Sequence, residues 1–150
     1  MTYRLTALAL ACALLSAGCA IPRWPVDGPV SSPFGLRRQG LDFRIHRGID
    51  IAVPVGTPVR TMAPGRVHFA GSMSGYGLVV IIDHPRQVRT VYAHLSQIYV
   101  NQGQSIQGRT VIGLSGATGR VTGPHLHFEI QRRGRPEDPV PLLGGFPQNE

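Results

Sequence analysis

Lysine is absent: all 15 basic residues of this 150-residue chain are arginine. The segment GTPVRTMAPGRV has the outline of a biotinyl or lipoyl carrier hairpin with Met62 near its tip. Such carriers attach their cofactor to a lysine, so that class is excluded. Cysteine is nearly as scarce. Cys12 and Cys19 both lie close to the N-terminus, and a domain built from residues beyond Cys19 has no disulfide and depends on its core or on a metal. Aromatic residues make up 7% of the chain and do not interleave with the arginines, which are dispersed apart from the doublets at 37–38 and 132–133. Stacking platforms for single-stranded nucleic acid are therefore missing, and no nucleic-acid partner is expected. Finally, no segment beyond the N-terminus keeps a 3.6-residue apolar period, which predicts little helix.

The longest apolar run, Leu5 to Gly18, is shorter than the roughly 20 residues of a spanning helix. It follows Arg4 and ends in small residues, with the charge, apolar centre and exit of an export signal. Its last residues, LSAGC, resemble a lipobox, the motif at which bacterial lipoproteins are cleaved and acylated on cysteine. The expected organisation is a signal peptide over 1–18, a lipidated Cys19 with a short Pro-rich tether over 19–28, one domain over 29–143 and a frayed tail over 144–150. Ala20 is not the aspartate that commonly retains lipoproteins at the inner membrane. The expected location is thus the outer membrane, facing the periplasm, with the lipid on Cys19 as the membrane contact. The formal net charge of +7 suits anionic head groups or a carboxylate-rich polymer.

From about Val26 onward Gly and Pro punctuate short apolar runs at the spacing of strands in an all-β domain. GIDIAV, RVHFAG, GLVVIID, VRTVYAHL, TVIGLSG and HLHFEIQ are the strand candidates. A weak internal echo links Gly56-Thr-Pro-Val59 followed by PGRV to Gly103-Gln-Ser-Ile106 followed by GRTVIG. Two related hairpins of this kind build a small antiparallel β sandwich or barrel-like domain.

Four of the six histidines and one aspartate fall in three short motifs: His46 and Asp50 in HRGID, His94 in YAHL, His125 and His127 in GPHLHFEI. Alternate residues of a strand share a face, so His125 and His127 point one way and Leu126 and Phe128 the other, toward a core. His46 and Asp50 flank Gly48, which suggests a turn leading into a strand. Zinc takes imidazole nitrogen and an occasional carboxylate, and a catalytic site uses three protein ligands plus water. Remaining imidazoles can move protons near neutral pH. Spacing alone does not say which histidine does which, and leaves open a closed four-ligand structural site.

The segments HRGIDIAVPVGTPVRTMAPGRV, GYGLVVIIDH, VYAHLS and TGPHLHFEI resemble the lysostaphin-type, or LytM-domain, zinc metallopeptidases, from about Val30 to Leu142. The resemblance implies a small antiparallel β fold with its site in a groove, and Zn2+ as cofactor. It implies His46, Asp50 and His127 as zinc ligands, with His94 and His125 as the catalytic pair. The implied substrate is peptidoglycan, cut at amide bonds of its stem peptides or cross-links. Some LytM domains are instead non-catalytic activators of a cell-wall amidase, but those lack site residues and this chain lacks none. A monomer is the default expectation. His68 and His84 are read as structural or surface residues, and Tyr76 and Tyr92 as lining the groove or packing in the core.

Overall fold

Alternation in HLHFEIQ sets the centre of the molecule. Leu126, Phe128 and Ile130 are buried in the main apolar cluster, and a one-residue slip of this strand would exchange them for His127 and Glu129. Each such apolar side chain contributes about 1.5–3 kcal/mol by leaving water, so the register is strongly held. The computed structural model describes residues 22–39 and 42–145. The expected signal peptide, the lipid site at Cys19 and residues 146–150 of the tail lie outside the described residues.

In chain order the strands are β1 (Val30–Ser32), β2 (Gly35–Gln39), β3 (Asp42–His46), β4 (Ile49–Ile51), β5 (Pro58–Arg60) and β6 (Gly65–Met73). They continue as β7 (Gly77–His84), β8 (Val88–Ile98), β9 (Ser105–Ile106), β10 (Val111–Ser115), β11 (Leu126–Arg132) and β12 (Arg135–Glu137). Among the described residues, helix is confined to a 3-10 turn at Pro85–Gln87 and the short α1 (Pro139–Leu142). Asp138 caps α1 by accepting from the Val140 N–H. The expected all-β, antiparallel architecture with little helix is what the chain adopts.

The main sheet runs β1-β4-β11-β8-β7-β6-β9, with β12 paired to β11, and β10 joining β8 to β5. β2 and β3 form a separate two-stranded ribbon. The two echoing segments of the sequence pair crosswise, β5 with β10 and β6 with β9. On one face of the sheet Tyr92, Phe128, Val80, Ile82, Ile49, Ile51 and Ile112 form the main core, where the Tyr92 and Phe128 rings lie 5.2 Å apart. Tyr92 is therefore a core residue, its hydroxyl accepting from the Met62 N–H. On the other face a smaller cluster of Val79, Val91 and Ala93 underlies the histidines.

One expectation is corrected. The Pro-rich stretch assigned to a tether over 19–28 is docked over its described part. Val26 is buried and Trp24 packs on the core. The Arg23 N–H donates to the Met62 carbonyl, and the Pro25 carbonyl accepts from the Arg60 N–H. Apolar side chains among the prolines override the loop-like composition.

Candidate metal centre and active site

Four structural elements converge on the histidines. Asp50 in β4 sits directly opposite His127 in β11, its antiparallel partner. His46 ends β3, and the turn through Gly48 brings it back over Asp50. A Cβ at Gly48 would collide with the Phe128 carbonyl oxygen, so only glycine lets this turn lie against β11. His125 immediately precedes β11, held by an isolated bridge to Gly116. As the two-residue spacing predicts, His125 and His127 approach the same carboxylate: His125 Nε2 is 3.7 Å and His127 Nδ1 2.8 Å from Asp50 Oδ1.

His94 reaches the site by a route that alternation does not foresee. It lies within β8, not at a strand end, and carries a φ of +62°. Tyr92 and Leu95 both belong to the main core although they are three positions apart. Between them Ala93 and His94 both turn to the opposite side, the signature of a β-bulge. The left-handed backbone costs a non-glycine residue about 1–2 kcal/mol. It is held by the His94 N–H donating to the Tyr76 carbonyl, and by Nδ1 donating to the Thr118 carbonyl at 2.8 Å. The His94 ring centroid then lies 4.8 Å from that of His125 and 5.8 Å from that of His127.

Hydrogen bonds on the outer sides of the rings determine which nitrogens face inward. A carbonyl oxygen only accepts, so His46 Nδ1 donates to Pro33 O at 2.7 Å and leaves a lone pair on Nε2. His127 Nε2 donates to the Glu129 carboxylate at 3.0 Å and leaves a lone pair on Nδ1. Those two nitrogens lie 3.1 Å apart, and 3.1 and 2.8 Å from Asp50 Oδ1. Three acceptors facing one another at such distances repel unless positive charge, a shared proton or a metal ion, sits among them. A tetrahedral zinc with bonds of about 2.0–2.1 Å needs its ligand atoms about 3.3 Å apart, so a slight opening accommodates one. The donor set fits the ion: two imidazoles and a carboxylate, each oriented from behind.

The charges agree with a site built for a cation. Burial alone would raise the Asp50 pKa, but hydrogen bonds to His127, His46 and Arg37 outweigh it and hold the carboxyl well below the usual carboxylate range. Arg37 on β2 donates through Nη2 to Asp50 Oδ2 at 2.6 Å and comes within 2.9 Å of His46 Nε2, supplying part of the positive charge these acceptors need. Burial pushes the His127 pKa down, yet the Asp50 and Glu129 carboxylates prevail and raise it. His94 goes the other way: burial and the nearby His125 and His127 lower its pKa, against the Thr118 carbonyl.

Glu129 is the site residue that the motifs did not single out. It is fully buried and accepts from His127 Nε2, from the Tyr76 hydroxyl at 2.7 Å and from Gln131 at 2.8 Å. The signal was present, since Glu129 follows His127 by two positions in a strand and shares its face. Tyr76 lines the cleft above it, its pKa pushed up to about 12 by burial and by the Glu129 carboxylate. Glu129→Ala is expected to weaken zinc binding about 10–100-fold, the usual cost of losing the partner of a metal-bound histidine; competition with a chelating dye measures it. His68 and His84 stay outside. His68 pairs with Asp83 on the surface, and His84 bridges the Pro64 carbonyl and Thr90.

Comparison with known proteins agrees with this geometry. Residues 44–139 match the model of peptidase family M23. The chain is 50% identical over 121 residues to the DD-carboxypeptidase/endopeptidase Mpg of Neisseria meningitidis, covering 79% of this chain and 28% of that one. It is 35% identical over 133 residues to the murein hydrolase activator EnvC of Escherichia coli, covering 86% of this chain and 31% of that one. The crystal structure of a zinc-containing peptidase from Vibrio cholerae superposes with a TM-score of 0.76 at 38% identity, over 83% of this chain and 39% of that one. The chain thus spans about a third or less of the length of these curated relatives.

Proposed function

Because this chain belongs to peptidase family M23, a family of metallopeptidases, we propose that it is a zinc-dependent endopeptidase of the bacterial cell wall. Its substrate is peptidoglycan, and the reaction is hydrolysis of amide bonds in stem peptides or their cross-links. The observation that carries this reading is the convergence of three inward lone pairs, on His46, Asp50 and His127, beside two further imidazoles. In this assignment His46, Asp50 and His127 hold the ion. Zinc bound there lowers the pKa of a coordinated water to about 7 and polarises a carbonyl.

The remaining steps belong to side chains. His94 and His125 each donate Nδ1–H to a backbone carbonyl, Thr118 and Gly123, so each keeps a basic Nε2. One such nitrogen takes the proton of the attacking water, and a protonated one stabilises the oxyanion developing on the scissile carbonyl and returns a proton to the leaving amine. His94 has the lowered pKa and suits the base. Its sign is definite: a base must be unprotonated, and a pKa below the ordinary 6.5 keeps it so into mildly acidic solution. With zinc bound, the His94 ring is expected to titrate below pH 6.5 in an NMR pH titration; a midpoint above that value removes His94 from the role.

A second reading rests on the likeness to EnvC: a non-catalytic domain that stimulates a cell-wall amidase. The intact set of five residues favours the hydrolase. Digestion of purified peptidoglycan by the zinc-loaded chain, with mass spectrometry of the released muropeptides, decides between them. A zinc-loaded chain that releases nothing yet stimulates an amidase is the activator. We further propose a monomer anchored by lipid on Cys19 to the outer membrane and facing the periplasm, which the lipobox-like LSAGC and the following Ala20 support.

A further inference from the structure

The rim of the cleft beside the metal ligands carries charge of one sign, while the one acid among its described residues lies buried beneath. Ile45, Arg47, Gly75, Tyr76 and Arg120 form its rim above His46, His94, His127 and Glu129. Arg47 projects from the turn between β3 and β4, about half of its side chain exposed, and its Nε is 3.9 Å from Glu129 Oε2, too far for a hydrogen bond. Arg120 extends from the loop between β10 and β11, its backbone tied to the Gly75 carbonyl. Among the described residues its guanidinium makes no hydrogen bond or ion pair. Glu129, the acid in the lining, is buried and already accepts from Tyr76, His127 and Gln131. Arg47 and Arg120 thus line the cleft with their guanidinium hydrogen-bond donors free among the described residues, Arg47 making only a long ion-pair contact with Glu129.

We infer that Arg47 and Arg120 form a carboxylate-binding subsite, so that the chain selects peptides bearing a free carboxylate close to the scissile amide over the same peptides with that group amidated. The inference rests on the proposed hydrolysis for its substrate, but its physical content is recognition. Arginine presents a planar fork of donors matched to a carboxylate, and such charge-assisted bonds are stronger than neutral ones. A carboxamide of the same shape offers one acceptor, a competing N–H2 group and no charge.

The test uses the full chain loaded with zinc and two synthetic stem-peptide dimers that differ only in a free carboxyl or carboxamide next to the scissile bond. Cleavage rates and, separately, binding to a zinc-loaded His94→Asn background are measured for wild-type rims and for the R47Q/R120Q double variant. A preference of about 10–100-fold for the acid form is expected, the range for hydrogen bonds to charged groups. It is expected mainly in KM and in binding, to weaken with added salt, and to vanish in R47Q/R120Q with zinc content unchanged. Equal handling of the two peptides by the wild-type rim, or a preference that survives in R47Q/R120Q, overturns the subsite. If neither peptide is cut but the acid form still binds better in an arginine-dependent way, the subsite stands and the hydrolase reading falls.

Discussion

His127→Ala is expected to lose bound zinc and, with it, all measurable release of muropeptides. His127 Nδ1 is the donor closest to the shared carboxylate oxygen, 2.8 Å from Asp50 Oδ1, and its removal leaves His46 and Asp50 alone. Two protein ligands fall short of the three that hold a catalytic zinc. The change also strips a hydrogen bond from Glu129, a fully buried carboxylate, and leaving a buried group short of a partner costs about 1–3 kcal/mol or more. A lower melting temperature is therefore expected alongside the loss of metal. Zinc stoichiometry and peptidoglycan digestion, both in metal-limited buffer, measure the outcome. Full activity there refutes the ligand assignment.

His94 separates the roles. Replacing it is expected to leave zinc in place while kcat falls about 10²–10⁴-fold, the usual contribution of a positioned general base or acid. Alanine is a poor probe on its own, because position 94 has a φ of +62° and the new residue inherits the strain without the Thr118 hydrogen bond. Asparagine tolerates that backbone better, so His94→Asn keeps the bulge while removing the basic nitrogen. The two variants should agree on activity and differ in stability. Loss of zinc from His94→Asn, with the fold intact by circular dichroism, means that the division between ligands and proton carriers is wrong.

The site was legible where a short period sufficed. His125, Leu126, His127 and Phe128 alternate between carboxylate and core as two-residue spacing requires. Glu129 obeyed the same rule and was readable from it. The bulge at His94 was not, because nothing in VYAHLS marks a left-handed histidine; Tyr76 and Thr118, contacts remote in sequence, create it. Composition misled at residues 23–26, where prolines suggested a leash and Trp24 and Val26 found the core. It was silent about β2 and β3: the arginine pair masks GLRRQ as a strand, and the alternating Phe43 and Ile45 of DFRIH face solvent and not a core. Yet that ribbon brings in both His46 and Arg37.

His46 and its two fellow donors do not stand on one scaffold. Asp50 and His127 are neighbours on the main sheet, while His46 arrives from a two-stranded ribbon hydrogen-bonded as a sheet of its own. Isolated ribbons of that size are marginal in water, and this one exposes Leu36, Phe43 and Ile45 instead of burying them. An ion gripped from both sides would act as a rivet between the ribbon and the body of the protein, doing for a chain poor in cysteine what a cross-link does elsewhere. Metal supply would then govern the shape of the cleft's near wall as well as the chemistry on its floor.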